Sequence, residues 1–293
     1  MALILHLGAH KTATTHLQKS LQLAVETLAE AGIYYAGPDL LRTDLCPLVD
    51  GVGAKGPQGH AKAQRASAVL HQAQADFPHL LVSDENLLGG TNRMGLFDRK
   101  GRIYPLAAPR LQRIIALTGA KDVTVALSVR DPASFMVSAF SLQITRGHEL
   151  DIRDYLCGRD VAALSWSELA ERLLGVEGVS RLVLWRYEDY GALRPQILAR
   201  LLTPELVPAI PEPPPANMGL TQMAYDWLIA RAMEDSDADL RSLVREAWRK
   251  FPKTGDRAGL RLLEDDEYRR SAEAYAADLA ALRAMTGVEF LAP

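Results

Sequence analysis

Cysteine is nearly missing from this chain. Cys46 and Cys157 are the only two in 293 residues, far apart and in no metal-ligand spacing. That excludes a disulfide scaffold and fits a reducing compartment. No stretch reaches the roughly 18 consecutive apolar residues of a membrane-spanning helix. No basic segment precedes the apolar N-terminal stretch either, so neither a span nor a signal peptide is expected, and the reading is a cytoplasmic protein. Charge of one sign is also lacking. With 33 basic and 36 acidic residues the formal net charge is −3, which leaves no overall field to attract nucleic acid. There is no internal repeat. Apolar residues, at 48%, are plentiful, and a chain of this length can bury a substantial core as one large α/β domain, alone or with an appendage.

The most informative stretch is Leu3 to Gln18, LILHLGAHKTATTHLQ. A strand-like run ends at Gly8, a short loop carries Lys11, and a helix opens among Thr12, Thr14 and Thr15. Backbone N–H groups at a helix start, the helix dipole and a lysine together make an anion site, and the three threonines add hydroxyls. His10 is read as a neighbour of the anion. The stretch is not a Walker A motif, because Gly8 stands only three positions before Lys11 and no glycine directly precedes the lysine. The plainer alternative is a threonine-capped helix beside an exposed lysine.

Further along, a helix is expected over 13–31, closed by Gly32, with a short extended piece at Ile33–Tyr35. A long glycine- and proline-rich surface loop is expected over 37–59 and a helix from about His60 to Asp76. Pro78 to Ser83 reads as a buried parallel strand that ends in Asp84-Glu85-Asn86, where open α/β sheets bind ligands. Residues 89–104 read as an irregular basic loop, followed by a helix from Leu106 to Thr118. The second informative stretch is VTVALSVRDPASFMVSAFSLQITRG, Val123 to Gly147. A β-branched strand ends at Arg130, Asp131 can cap, and Pro132 suits the first turn of a helix that carries Ser138 two turns in. Arg130 and Ser138 can then converge on one anion; the alternative is a salt-bridged arginine and a surface serine.

A helical stretch over 151–176, a strand over 181–185 and a helix to about Leu202 complete the first part. Six prolines between Pro204 and Pro215 read as an extended linker, followed by helices near 221–234, 236–250 and 266–286. The domain reading is therefore a core over 1–203, a linker over 204–218 and a helical part over 219–293. His6, His10 and His16 lie close in sequence but fall on a strand, a loop and a helix with no supporting Cys or Glu spacing, so no metal site is expected.

The two anion motifs, in this order, resemble those of the sulfotransferase family. Lys11-Thr12-Ala13-Thr14-Thr15-His16-Leu17 is similar to its 5′-phosphosulfate loop, with Ala13 where the family usually has Gly. Arg130 and Ser138 match its 3′-phosphate pair. The resemblance implies a P-loop-like three-layer α/β/α fold with a central, mainly parallel sheet and a helical C-terminal extension. It implies 3′-phosphoadenosine 5′-phosphosulfate (PAPS) as donor, with the 3′,5′-bisphosphate PAP as product and no metal required. Lys11 would then stabilise the leaving phosphate and Glu85 would act as general base, with His148 as its rival. Gln143 and Arg146 would help shape the acceptor pocket, and Lys253, Gly255 and Arg257 would cover the nucleotide, although FPKTGDR reads equally well as a plain interhelical loop. The expected partner is a small-molecule or carbohydrate acceptor, with a homodimer left open and neither nucleic acid nor membrane involved. A magnesium-dependent ATP kinase, with Asp84-Glu85 as metal-holding pair, and a non-catalytic nucleotide-binding protein remain the alternatives.

Overall fold

The computed structural model describes residues 2–98, 100–148, 151–214, 219–234, 239–253 and 259–293. Its centre is a six-stranded, wholly parallel sheet in the order β2-β3-β1-β4-β5-β6. The strands are β1 (Ala2–His6), β2 (Ile33–Ala36), β3 (His79–Ser83), β4 (Val123–Val129), β5 (Val179–Arg186) and β6 (Val288–Leu291). All seven residues of β4 are buried, as expected of a strand covered on both faces.

The helices before β4 are α1 (Thr14–Leu23), α2 (Val25–Glu30), α3 (Pro38–Leu41), α4 (Leu48–Gly53), α5 (Gly56–Asp76), α6 (Arg93–Leu96) and α7 (Ala107–Thr118). After β4 come α8 (Pro132–Thr145), α9 (Ile152–Leu156), α10 (Trp166–Leu174), α11 (Tyr190–Leu201), α12 (Gln222–Glu234), α13 (Leu240–Lys250) and α14 (Asp265–Ala284). Side chains alternate across the sheet, so Ile4, Leu81, Ala126, Val183 and Trp185 meet Leu17 and Leu21 of α1 and Leu193, Ile197 and Leu198 of α11. The opposite face, with Leu3, Leu5, Leu80, Val82, Val125 and Leu184, is covered by α5, α7, α8, α10 and α14. This is the three-layer α/β/α architecture. Because β1 has β3 on one side and β4 on the other, the chain order reverses there, and the crevice beyond its C-terminal end is where such sheets take ligands.

Several expectations need correcting. The segment 37–59 is not one loop: α3, α4 and the first turn of α5 occupy it. Gly51 serves close packing, for a Cβ there would stand 2.7 Å from the Ala63 backbone nitrogen where α4 meets α5. The helix expected over 13–31 is two helices parted at Ala24. Residues 89–104 hold α6 and a bridge between Phe97 and Ile103, and 151–176 holds two separate helices with a 3-10 turn between them. Pro204–Ala209 is a 3-10 helix. Its partly buried Leu206 and Val207 pack into the layer that holds α11, and proline is tolerated in so short a turn. The tail is not helical alone, since β6 joins it to the sheet beside β5. Gly255 and Arg257 lie outside the described residues.

Candidate active site

The chain leaves β1 at His6, and the Leu7 N–H donates to the Ala126 carbonyl of β4 at 3.0 Å. Gly8 turns there with φ 42°. A Cβ at Gly8 would come within 2.5 Å of Thr14 Oγ1 and 3.2 Å of His6 Nε2, so only glycine fits under the start of α1. Lys11 and Ala13 then adopt left-handed backbone, φ 64° and 63°, and Ala13 is the N-cap of α1 with no side-chain cap. The αL conformation explains why glycine suits that position; alanine holds it at a steric cost. The hydroxyls of Thr12 and Thr14 donate to the Ala9 carbonyl at 2.6 and 3.1 Å. Both therefore brace the loop instead of offering their protons to a ligand, while Thr15 stands half-buried in the first turn of α1. Among the described residues no acceptor takes the N–H groups of Lys11, Thr12, Ala13 or Thr14. Alternating left-handed residues with open N–H groups form an anion-binding concavity.

Two cations frame it. Arg130 stands at the end of β4, where Asp131 caps α8 by accepting from the Ser134 N–H at 2.9 Å and Pro132 occupies the first turn. The Arg130 guanidinium donates to the Lys11 carbonyl at 2.8 Å and lies over the Tyr187 ring at 4.5 Å. Its own carbonyl accepts from Trp166 Nε1 at 2.7 Å. Burial, with repulsion from Arg130 and Lys253, lowers the Lys11 ammonium below the ordinary lysine value. Burial likewise lowers Arg130, with Tyr187, Glu188 and Asp131 opposing. Among the described residues neither cation is in ion-pair contact with a carboxylate. Ser138 sits half-buried two turns into α8. Lys253, from the FPKTGDR stretch, is close enough to repel Lys11.

Glu85 opens a 3-10 turn after β3. Its carboxylate accepts from Gln18 Nε2 at 3.0 Å and Arg42 Nη2 at 2.9 Å. Burial alone would push this carboxyl up, but attraction to His10 once that ring is protonated, together with Arg42, its own N–H and Gln18, outweighs it and carries the group below the ordinary glutamate value. Arg42 also clamps the fully buried Asp84 through Nε and Nη2, at 2.7 and 2.9 Å.

The remaining candidates lie elsewhere. Gln143 is buried, and its amide donates to the Thr91 carbonyl at 2.8 Å. Arg146 donates to Thr91 Oγ1 at 3.3 Å. Both fasten the 89–104 segment to α8. His148 is exposed beyond the C-terminal end of α8, whose 14 residues, roughly 20 Å at 1.5 Å per residue, separate it from Arg130 at the other end. The three N-terminal histidines have separate partners: His6 pairs with Ser83, His10 with Tyr104 and Asn86, and His16 with Tyr190 and the Pro213 carbonyl.

Sequence reasoning missed Arg42, Asn86, Tyr104 and Tyr187. Arg42 and Tyr104 lie in stretches read as loops, and no local pattern ties them to a site tens of residues away. Asn86 follows Glu85 directly and was a signal within reach, as was Tyr187 in the Tyr-Glu-Asp turn after β5. The sequence matches no protein-family model and no curated protein. Among solved structures it is similar to a sulfotransferase from Alicyclobacillus acidocaldarius, with 13% identity over 98% of this chain and 96% of that one and a TM-score of 0.47. Nothing about the reaction follows from a likeness at that identity.

Proposed function

We propose that this chain is a sulfotransferase that uses PAPS and passes the sulfuryl group to a hydroxyl or amine of a small-molecule or carbohydrate acceptor. The observation that carries the reading is the meeting of four N–H groups, open among the described residues, with Lys11 and Arg130, two partly buried cations that no described carboxylate in contact neutralises. Burying unpaired charge is costly unless an anion compensates it. The loop and Lys11 suit a 5′-phosphosulfate, and Arg130 with Ser138 suits a 3′-phosphate. When bound, such a donor supplies an activated sulfuryl group on a phosphate leaving group.

The chain's own residues then have definable tasks. Lys11, with its proton affinity lowered, can stabilise negative charge at the loop and hand on a proton. Glu85, hydrogen-bonded to Gln18 and Arg42, is the carboxylate this reading assigns to take a proton from an acceptor. Asp84, which a magnesium-dependent kinase would turn toward a metal, is instead engaged with Arg42 and Asn86. The reading asks for no metal ion.

Thermal shift tests it. Adenosine 3′,5′-bisphosphate without metal should stabilise the protein by about 2.7 kcal/mol at about 100 times its Kd, and AMP markedly less. Arg130→Ala should remove most of that difference. Equal shifts from both nucleotides would sink the 3′-phosphate assignment, and a larger shift from ATP with magnesium would favour the kinase.

A further inference from the structure

Beside the anion loop runs a chain of hydrogen bonds that the proposed chemistry does not use. Asn86 Nδ2 lies 3.0 Å from Asp84 Oδ1. That carboxylate can only accept, so the orientation of the Asn86 amide is settled and its Oδ1 faces His10 Nε2 at 3.3 Å. An amide oxygen also only accepts, so His10 Nε2 must carry a proton. On the other side of the ring, His10 Nδ1 is 2.8 Å from the Tyr104 hydroxyl, and the same oxygen accepts the His10 backbone N–H at 2.9 Å. With that lone pair taken, the Tyr104 O–H is free to donate to Nδ1.

We infer that Tyr104 is a positioning residue that locks His10 as the neutral Nε2–H tautomer, pinning the residue before Lys11 and leaving the charge of the anion loop to Lys11 and Arg130. Tyr104 is itself firmly placed. It is fully buried and left-handed, φ 47°, a conformation that is unusual for a bulky residue and persists only where its surroundings impose it. The Leu96 carbonyl accepts its N–H at 2.7 Å, and Arg172 donates to its carbonyl at 2.9 Å. The charged groups facing His10 are Glu85 and Asp84, which favour an imidazolium, and Arg42, which opposes it. Burial outweighs all three and lowers the His10 pKa. A protonated ring would have to donate from Nδ1 and would take away the acceptor of the Tyr104 hydroxyl.

The tautomer stands on this geometry alone, whereas its consequence for binding rests on the anion-loop reading. Two-bond proton–nitrogen NMR of the histidine-labelled full chain reads the tautomer, with His10 assigned by the signal lost in His10→Gln. The expected pattern is a protonated Nε2 and a bare Nδ1, unchanged from about pH 7 to pH 5.5, across the range where an ordinary histidine of pKa near 6.5 would titrate. Tyr104→Phe keeps the ring volume and the burial but removes the partner of Nδ1, so in it the tautomer should no longer be fixed and signals of the Nδ1–H form should appear. Inorganic sulfate, whose charge is fixed there, should bind the native protein with a Kd that changes less than about twofold over the window, and bind Tyr104→Phe several-fold more weakly, because the His10 backbone N–H and ring beside Lys11 are no longer pinned. A protonated Nδ1 in the native protein overturns the lock. So does a Tyr104→Phe protein whose His10 signals and sulfate profile match the native ones. Sulfate binding to neither protein overturns the anion-loop reading, and with it this use of the lock, whatever the tautomer.

Discussion

Acid should destabilise the fold through His6, which lies beneath the anion loop. This ring is buried at 1% exposure, pairs through Nδ1 with Ser83 Oγ at 2.8 Å, and stacks on Trp185 with centroids 6.0 Å apart. Burial lowers its pKa to about 4, with the charge of Glu85 opposing. The unfolded chain takes up this proton near pH 6.5. Between those values the unfolded state binds more protons, so stability falls as pH falls, and above about 6.5 nothing is lost. A difference of about 2.5 pKa units corresponds to about 3 kcal/mol in all, of which about 2 kcal/mol is gone by pH 5. His6 Nε2 lies 3.2 Å from where a Cβ on Gly8 would stand. Urea unfolding at half-unit steps from about pH 7.5 to pH 4.5 measures it. His6→Asn keeps a donor near Ser83 and removes the titration, so its stability should start lower and decline less. Carboxylates enter only toward the acid end of the range, and the contribution of His10, which is also depressed, is common to both proteins. Equal slopes for the native protein and His6→Asn would refute the reasoning.

Two further outcomes are expected. Ala13→Gly removes a left-handed Cβ cost of about 1–2 kcal/mol and adds about 0.4–1 kcal/mol of unfolded-state entropy. The melting temperature should therefore rise by a few degrees at most in scanning calorimetry, and a clear fall would show that Ala13 is not strained. In turnover with a sulfuryl acceptor, Glu85→Gln should lose about 10²–10⁴ in rate while keeping donor affinity, and the acid limb of the native profile should lie below the ordinary glutamate range. An active Glu85→Gln beside a dead His148→Ala would transfer the base role to the histidine.

Local chemistry alone placed the strand–loop–helix around Lys11 and the strand–cap–helix around Arg130, because each is written in consecutive residues: an apolar run, a cap, a proline at the first turn, a glycine at a tight bend. The alternation of strands and helices was enough to point to an α/β domain, while the three-layer arrangement was what the sulfotransferase resemblance implied. The strand order came from pairing β1 with β4, and with it came the contact between Arg130 and the Lys11 carbonyl across 119 positions of sequence. The helices of 37–59 were hidden because Gly51 reads as a breaker in sequence but serves close packing in the fold. β6 was hidden because its four residues become a strand only by pairing with β5. The Arg42 clamp on Asp84 and Glu85 and the Tyr104 bonds to His10 bring together residues 42 and 94 positions apart. Which carboxylate is paired, which imidazole is neutral and which threonine hydroxyls are already engaged depend on burial and on partners brought in from distant segments. Those properties therefore belong to the tertiary structure alone.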